Sequence, residues 1–209
     1  MGKIADMSIK EYLDILKTDA PAPGGGGVSG LTAAQGISLT LMVIELTLGK
    51  KKYEEYMELI EKSRERALEL YEELAVAADE DREVFLKLSE AYALPKETEE
   101  EKKNKQQVLG ERSLAATEAP YKVMELSLEG LEITEKLVGK SNKMAVSDLG
   151  VAAACFLAAC KSAWLNVKIN LPYLTDKDRA QAFEKGGRNI LEKVTELSEK
   201  IYDAVEKEI

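Results

Sequence analysis

The stretch PGGGGVSGLTAAQGISLTLMVIELTLGKKKY, residues 23–53, decides how the chain is read. Four of the chain's 14 glycines stand together at Gly24–Gly27. From Val28 to Leu48 the only ionisable side chain is Glu45, in a protein that is 32% charged. A glycine turn offers backbone N–H groups to an anion. The nearly apolar segment behind it predicts a helix, and Lys50, Lys51 and Lys52 place a cationic cluster at its exit. At 1.5 Å per residue the two ends of that helix lie about 30 Å apart, so turn and lysines serve different parts of a long ligand or sites shared between subunits.

The 21 residues from Val28 to Leu48 also reach bilayer-spanning length. Gln35, Glu45 and scattered Ser and Thr interrupt them, so a buried central helix is expected rather than a membrane span. Its small residues Ser29, Gly30, Ala33, Ala34, Gly36 and Ser38 would let neighbouring backbones approach closely.

The rest of the chain supports an all-α reading. Its 209 residues are 45% hydrophobic, enough to bury a core, with only 5 prolines and 6% aromatics. Ser8 to Lys17 reads as a short amphipathic helix with Ser8 as cap and Glu11 at the third helical position. A long helix is expected from about Tyr53 to Tyr92, with Leu59, Arg66, Leu70, Leu74 and Ala77 or Ala78 stepping at three and four. Glu97 to Lys105 reads as a charged loop, followed by helix up to Pro120 and again from Tyr121 to Leu137. An alanine-rich helix spans Val146 to Leu171, and an amphipathic one runs from about Asp176 to the end. No segment alternates with period two. The expected architecture is an antiparallel helical bundle with long central helices, a single domain over residues 1–209.

Composition narrows the chemistry. The formal net charge of −9, without an extended basic run, argues against a nucleic-acid partner. Histidine is absent, so proton transfer falls to Asp, Glu, Lys, Tyr or Cys. Cys155 and Cys160 stand about 140° apart around a helix, which supports neither a zinc site nor a disulfide. Without a signal-peptide pattern, a reduced cytoplasmic setting is expected.

Two sets of polar residues sit on helix faces. Leu70, Leu74, Ala77, Asp81, Phe85, Leu88 and Tyr92 step at three and four, which puts Asp81 inside an apolar stripe, while Asp79 aligns with Glu83 and Glu90 and is expected to be solvated. Burial raises a carboxyl pKa, which makes Asp81 the candidate acid. Pairing with a lysine, or capping a helix start, would explain it equally well on pattern alone. Asp148, Ala152, Cys155, Ala159, Ser162, Asn166 and Asn170 form the second seam. Asp148 and Asn166 are about 27 Å apart along it, too far to touch one small reacting centre in one subunit. Close packing along the alanine face, with Asp148 as a cap and the asparagines as buried amides, is the alternative.

Six segments in order, PAPGGG (21–26), MVIELTLGKKKY (42–53), DEDREVF (79–85), LPKETEEEK (94–102), SDLGVAA (147–153) and NVKINL (166–171), resemble the cyclodeaminase/cyclohydrolase family over nearly the whole chain. That family includes the cyclodeaminase domain of formiminotransferase-cyclodeaminase and stand-alone methenyltetrahydrofolate cyclohydrolases. The resemblance implies an all-helical homodimer that binds tetrahydrofolate derivatives, with the acid carboxylate at Asp81. It also implies that Gly24, Gly25, Gly26, Lys50, Lys51, Lys52, Ser147, Asn166 and Asn170 lie around the folate site. Asp148 is a further candidate for proton removal or for balancing a cationic folate centre. No metal, redox cofactor or membrane is called for.

The expected reaction is closure of N5-formimino-tetrahydrofolate to N5,N10-methenyl-tetrahydrofolate with loss of ammonia. The alternatives are interconversion of methenyl- and 10-formyl-tetrahydrofolate, or a non-catalytic helical interaction protein. Lys50–Lys52 suit the anionic, polyglutamated tail, although a lysine run at a helix C-terminus also simply matches the dipole. Family members commonly carry Ser where this chain has Gly27, so a hydroxyl that could cap the helix or touch ligand is missing.

Overall fold

The computed structural model describes residues 2–209, and every described element is helical. Six α-helices carry the fold: α1 (Ile9–Leu16), α2 (Gly25–Glu45), α3 (Met57–Tyr92), α4 (Glu99–Leu137), α5 (Val146–Asn170) and α6 (Lys177–Glu206). Short 3₁₀ turns lie at Ile4–Asp6, Lys51–Tyr56, Lys143–Ala145 and Leu171–Tyr173.

The two nearly uncharged segments become the two central helices, because only they can be buried along most of their length without stranding charge. α2 packs on α3, α4 and α5, and α5 on α2, α4 and α6. Both are long and apolar enough to cross a membrane, yet half of each such window is buried against the other helices. Glycines set the spacing at the centre: the Phe156 ring of α5 lies so close to Gly36 of α2 and Gly130 of α4 that a Cβ at Gly130 would overlap it. Most of the polar groups inside find partners, as where the Thr40 and Thr134 hydroxyls bond each other between α2 and α4 at 2.8 Å.

The starts of the helices follow their sequence signals. Ser8 and Glu11 form the capping box of α1, and Asp176 caps α6 by accepting from the Arg179 amide. The long helix expected from Tyr53 begins as 3₁₀, with Tyr53 itself non-helical, and becomes α at Met57. Its buried line is Ile60, Ser63, Ala67, Leu70 and Leu74. Arg66 stands aside from that line and holds both carboxylate oxygens of Glu129 on α4, at 2.6 and 2.8 Å.

Two expectations are corrected. The charged stretch expected as a loop up to Lys105 is helical from Glu99, opened by a second capping box between Thr98 and Glu101. α4 then runs unbroken through Pro120 to Leu137. Proline has no N–H for the carbonyl four residues back, which leaves the Ala116 oxygen free. The Asn170 side-chain amide donates to it at 2.9 Å, so the end of α5 repairs α4 at its proline. The Gly27 expectation also changes. Gly24 is the cap of α2, and Gly27 lies within its first turn, buried against Pro23 and Ala78.

Candidate active site

At the end of the bundle where α2 begins and α5 ends, Gly24, Gly25, Gly26, Asp81, Asn166 and Asn170 line one cavity of about 210 Å³. Pro21, Ala22, Val84, Phe85, Ala116 and Ile169 complete its wall. Six of the expected site residues, drawn from three helices, are thereby brought together.

Asp81 is held between α3 and the first turn of α2. Any Cβ at Gly26 would overlap its carboxylate, so glycine at that position is what lets the acid reach the turn. Burial disfavours the charged carboxylate and pushes its pKa up to about 6, against a smaller downward pull from the Gly27 backbone N–H. No cation is hydrogen-bonded to it among the described residues, so the lysine-pairing alternative is not what the structure contains. A carboxyl of this kind can give a proton near neutral pH and take one back.

The two asparagines use their N–H groups on the protein. Asn166 Nδ2 donates to the Ser162 carbonyl at 2.9 Å, and Asn170 Nδ2 donates to the Ala116 and Asn166 carbonyls at 2.9 and 3.0 Å. Their amide oxygens accept no hydrogen bond from the described residues and can accept from a ligand N–H. The Asn166 amide lies against Gly25, where a Cβ would sit 3.4 Å from its nitrogen. One cavity thus offers backbone donors from α2, a tunable acid from α3 and acceptors from α5.

Asp79 departs from its expected role. It is buried, bonded by the Arg82 guanidinium at 3.1 Å and by the Ile4 and Ala5 backbone N–H groups at 2.9 and 3.4 Å. Helix periodicity put it on a solvated face; the N-terminal segment, whose path periodicity does not report, folds back and covers it.

The remaining expected residues lie at the opposite end of the bundle. Lys50 and Lys51 line an open groove with Gly49, Glu54 and Met57, and the Lys52 ammonium sits 5.4 Å from the Tyr53 ring centre. Ser147 is exposed and Asp148 lies in the first turn of α5. Asn142 ties that end together, its backbone N–H donating to the Thr47 hydroxyl and its side chain to the Leu46 carbonyl. α2 and α5 therefore run antiparallel, and within one chain Asp148 and Lys50–Lys52 do not meet Asp81. Residues the sequence reading did not single out also line the cavity, notably Pro21, Ala22 and Ala116; the Pro21-Ala22-Pro23 run directly before the glycines was the available signal for the first two.

Comparisons with known proteins agree with the fold. The family profile of formiminotransferase-cyclodeaminase matches residues 8–189. The chain is 34% identical over 202 residues to the methenyltetrahydrofolate cyclohydrolase of Methylorubrum extorquens, covering 97% of both. It is 29% identical over 177 residues to the formimidoyltransferase-cyclodeaminase of Mus musculus, covering 83% of this chain and 32% of that longer protein. Among solved structures it superposes on the formiminotetrahydrofolate cyclodeaminase of Thermotoga maritima with TM-score 0.80 and 30% identity, over 99% of this chain and 97% of the other. With the family profile, a full-length relative and the fold in agreement, this chain belongs to the cyclodeaminase/cyclohydrolase family and is an enzyme.

Proposed function

We propose that the chain acts on a one-carbon-substituted tetrahydrofolate as a formimidoyltetrahydrofolate cyclodeaminase, with Asp81 as its acid. The observation that carries this is a half-buried carboxyl raised to about 6, set against a glycine turn and two asparagine acceptors in one cavity. N10 attacks the amidine carbon of the formimino group in its protonated, amidinium form, whose nitrogen already carries two hydrogens, and forms the new C–N bond. Asp81 gives its proton to the departing nitrogen, the old C–N bond breaks and ammonia leaves. The carboxylate so formed faces the cationic methenyl product and takes up the proton that N10 sheds. No oxidation state changes, so the step needs no redox cofactor, and Asp81 carries the proton transfers.

Cyclohydrolase activity is the second reading, favoured by the full-length likeness to the Methylorubrum extorquens protein. It uses the same acid and the same cation, with water attacking the bridge. Offering purified protein both formimino- and methenyl-tetrahydrofolate separates them by the methenyl absorbance. Its appearance from the first substrate marks a cyclodeaminase, and faster loss of the second marks a cyclohydrolase. Absence of both changes overturns the proposal.

We further propose that the working unit is a cytoplasmic homodimer formed through α2 and α5. Met42 on α2, Leu46 at its C-terminal cap, and Val151, Leu165 and Ile169 on α5 are large apolar side chains left exposed, with Leu165 70% and Ile169 69% accessible. Exposed Ala154 and Ala158 continue that line along α5. Ile169 also lines the cavity, so a second copy on this face would reach the mouth of the site. A two-fold axis across the middle of these antiparallel helices would carry Lys50–Lys52 and Asp148 of one copy toward Asp81 of the other. That gives the lysines access to a polyglutamate tail and Asp148 to the cationic centre. Neutralising Lys50–Lys52 should weaken binding of polyglutamated folate more than of monoglutamate; an equal effect on both removes the lysines from the site.

A further inference from the structure

A second cavity, of about 520 Å³, lies beyond the end of α5, between the start of α4, the 3₁₀ turn Leu171–Tyr173 and the start of α6. No residue lines both this cavity and the one around Asp81. Lys96, Lys102, Lys105 and Lys177 stand in its wall, and no Asp or Glu does. The chain carries 38 acidic residues against 29 basic ones, so a wall of this kind runs against its composition.

Only one of the four lysines is neutralised. Lys102 pairs with Glu99 at 2.6 Å on the surface of α4, whereas Lys96, Lys105 and Lys177 form no ion pair among the described residues. Two of those three are nevertheless held in place. The Lys105 ammonium donates to the Tyr92 and Leu94 carbonyls at 2.7 Å each, and the Lys177 ammonium to the Leu174 and Pro172 carbonyls at 2.9 and 3.5 Å. Carbonyl dipoles fix an ammonium without cancelling its charge, and of its three N–H groups one stays available. Bracing the chain ends explains those four contacts and leaves the missing counter-charge unexplained. The carboxylates nearest in sequence do not supply it. Glu101 accepts from the Glu97 and Thr98 backbone N–H groups and Asp176 from that of Arg179, while Glu97, Glu100 and Asp178 are exposed and line no part of the cavity.

We propose that this cavity binds a small anion with several charges, carried on phosphate or carboxylate groups, separately from the ligand at Asp81. Ammonium bonds to such oxygens are charge-assisted and stronger than neutral ones. Because Lys105 and Lys177 are already fixed, less side-chain freedom is lost on binding than with free surface lysines. Leu109 and Tyr173 give the same wall an apolar side, which suits an organic anion. A net charge of −9 opposes a long polyanion, so the ligand is small. The inference is independent of Asp81 being the acid.

Isothermal titration calorimetry of the purified enzyme with inorganic pyrophosphate tests it. The parent should bind, and more weakly as salt rises from about 50 to about 200 mM; absence of binding overturns the proposal. Lys96→Gln combined with Lys102→Gln should weaken binding about 10-fold, and both side chains are exposed, so an unchanged Tm is expected. Lys103→Gln combined with Lys193→Gln removes the same charge from exposed positions outside the cavity and should leave affinity within about 2-fold. Equal weakening by both pairs reduces the effect to the general field of the protein and overturns the site. Repeating the titration with polyglutamated tetrahydrofolate present should leave pyrophosphate affinity unchanged. Displacement by the polyglutamated but not the monoglutamated form would give these lysines to the folate tail and overturn a separate anion.

Discussion

At Asp81 the helical repeat and the burial agree: a carboxylate placed in an apolar stripe by its spacing is pushed up to about 6 by desolvation. Its neighbour Asp79 shows the limit of that reasoning, because periodicity names a face and cannot say that residues 4 and 5 will fold over it. A raised carboxyl pKa has a definite sign for stability. Between the unfolded value near 3.8 and the folded value of about 6 the native state holds the proton that the unfolded chain has lost. The protonated form's advantage is therefore complete below the lower value and is lost as pH rises through the upper one. At neutral pH this amounts to about 3 kcal/mol of stability forgone. Asp81→Asn should accordingly abolish turnover while raising stability at pH 7 to 8 by about 1–3 kcal/mol, read by denaturant melts against pH. If its advantage over the parent is the same at pH 4 as at pH 8, the buried charge is not the cause. Gly26→Ala acts on the same group: its methyl displaces the Asp81 carboxylate, so kcat should fall at least 10-fold with a stability loss of about 1–3 kcal/mol. Wild-type turnover in that variant would show that the close approach of α2 and Asp81 is dispensable.

At the level of elements, the strongest local signals were those with a chemical partner a few residues away. Ser8 with Glu11 marked the start of α1, and Thr98 with Glu101 carries the same signature for α4, although the run of charges around it reads as a loop. Thr98→Ala should cost about 1 kcal/mol, measured by chemical denaturation, and unchanged stability would mean that α4 is held by its packing alone. Pro120 illustrates the opposite case. Proline argues locally for a break, and the helix continues because a side chain about 50 residues away donates to the carbonyl that proline leaves free. Asn170→Leu removes that donor and strands the Ala116 oxygen, so a loss of about 1–3 kcal/mol is expected together with weaker ligand binding, since Ala116 and Asn170 both line the cavity. Stability equal to the parent would show that the carbonyl is satisfied in another way.

For the whole molecule, the exposed apolar face of α2 and α5 and the two separated groups of site residues belong to one question. On the proposed dimer, Leu165→Glu sets a charge on that face, on a residue outside the Asp81 cavity. Analytical ultracentrifugation should then show a monomer, with turnover reduced at least 10-fold although Asp81 and the glycine turn are intact. A fully active monomer would dispose of the shared site. Much of this protein follows from sequence alone. Two nearly uncharged segments among charged ones have to be buried together, and 3.6-residue spacing with capping pairs dictates helices and assigns Asp81 to an inner face. Linear order also implied that Asp148 and Asn166, on one rigid helix, could not share a small centre. Tertiary structure decided the rest: the cover over Asp79, the repair of α4 at Pro120, the joining of the glycine turn, Asp81 and the asparagines in one cavity, and the gathering of Lys96, Lys102, Lys105 and Lys177 around another. Each depends on contacts between residues far apart in sequence, where steric fit and desolvation act across helices and no local repeat records them.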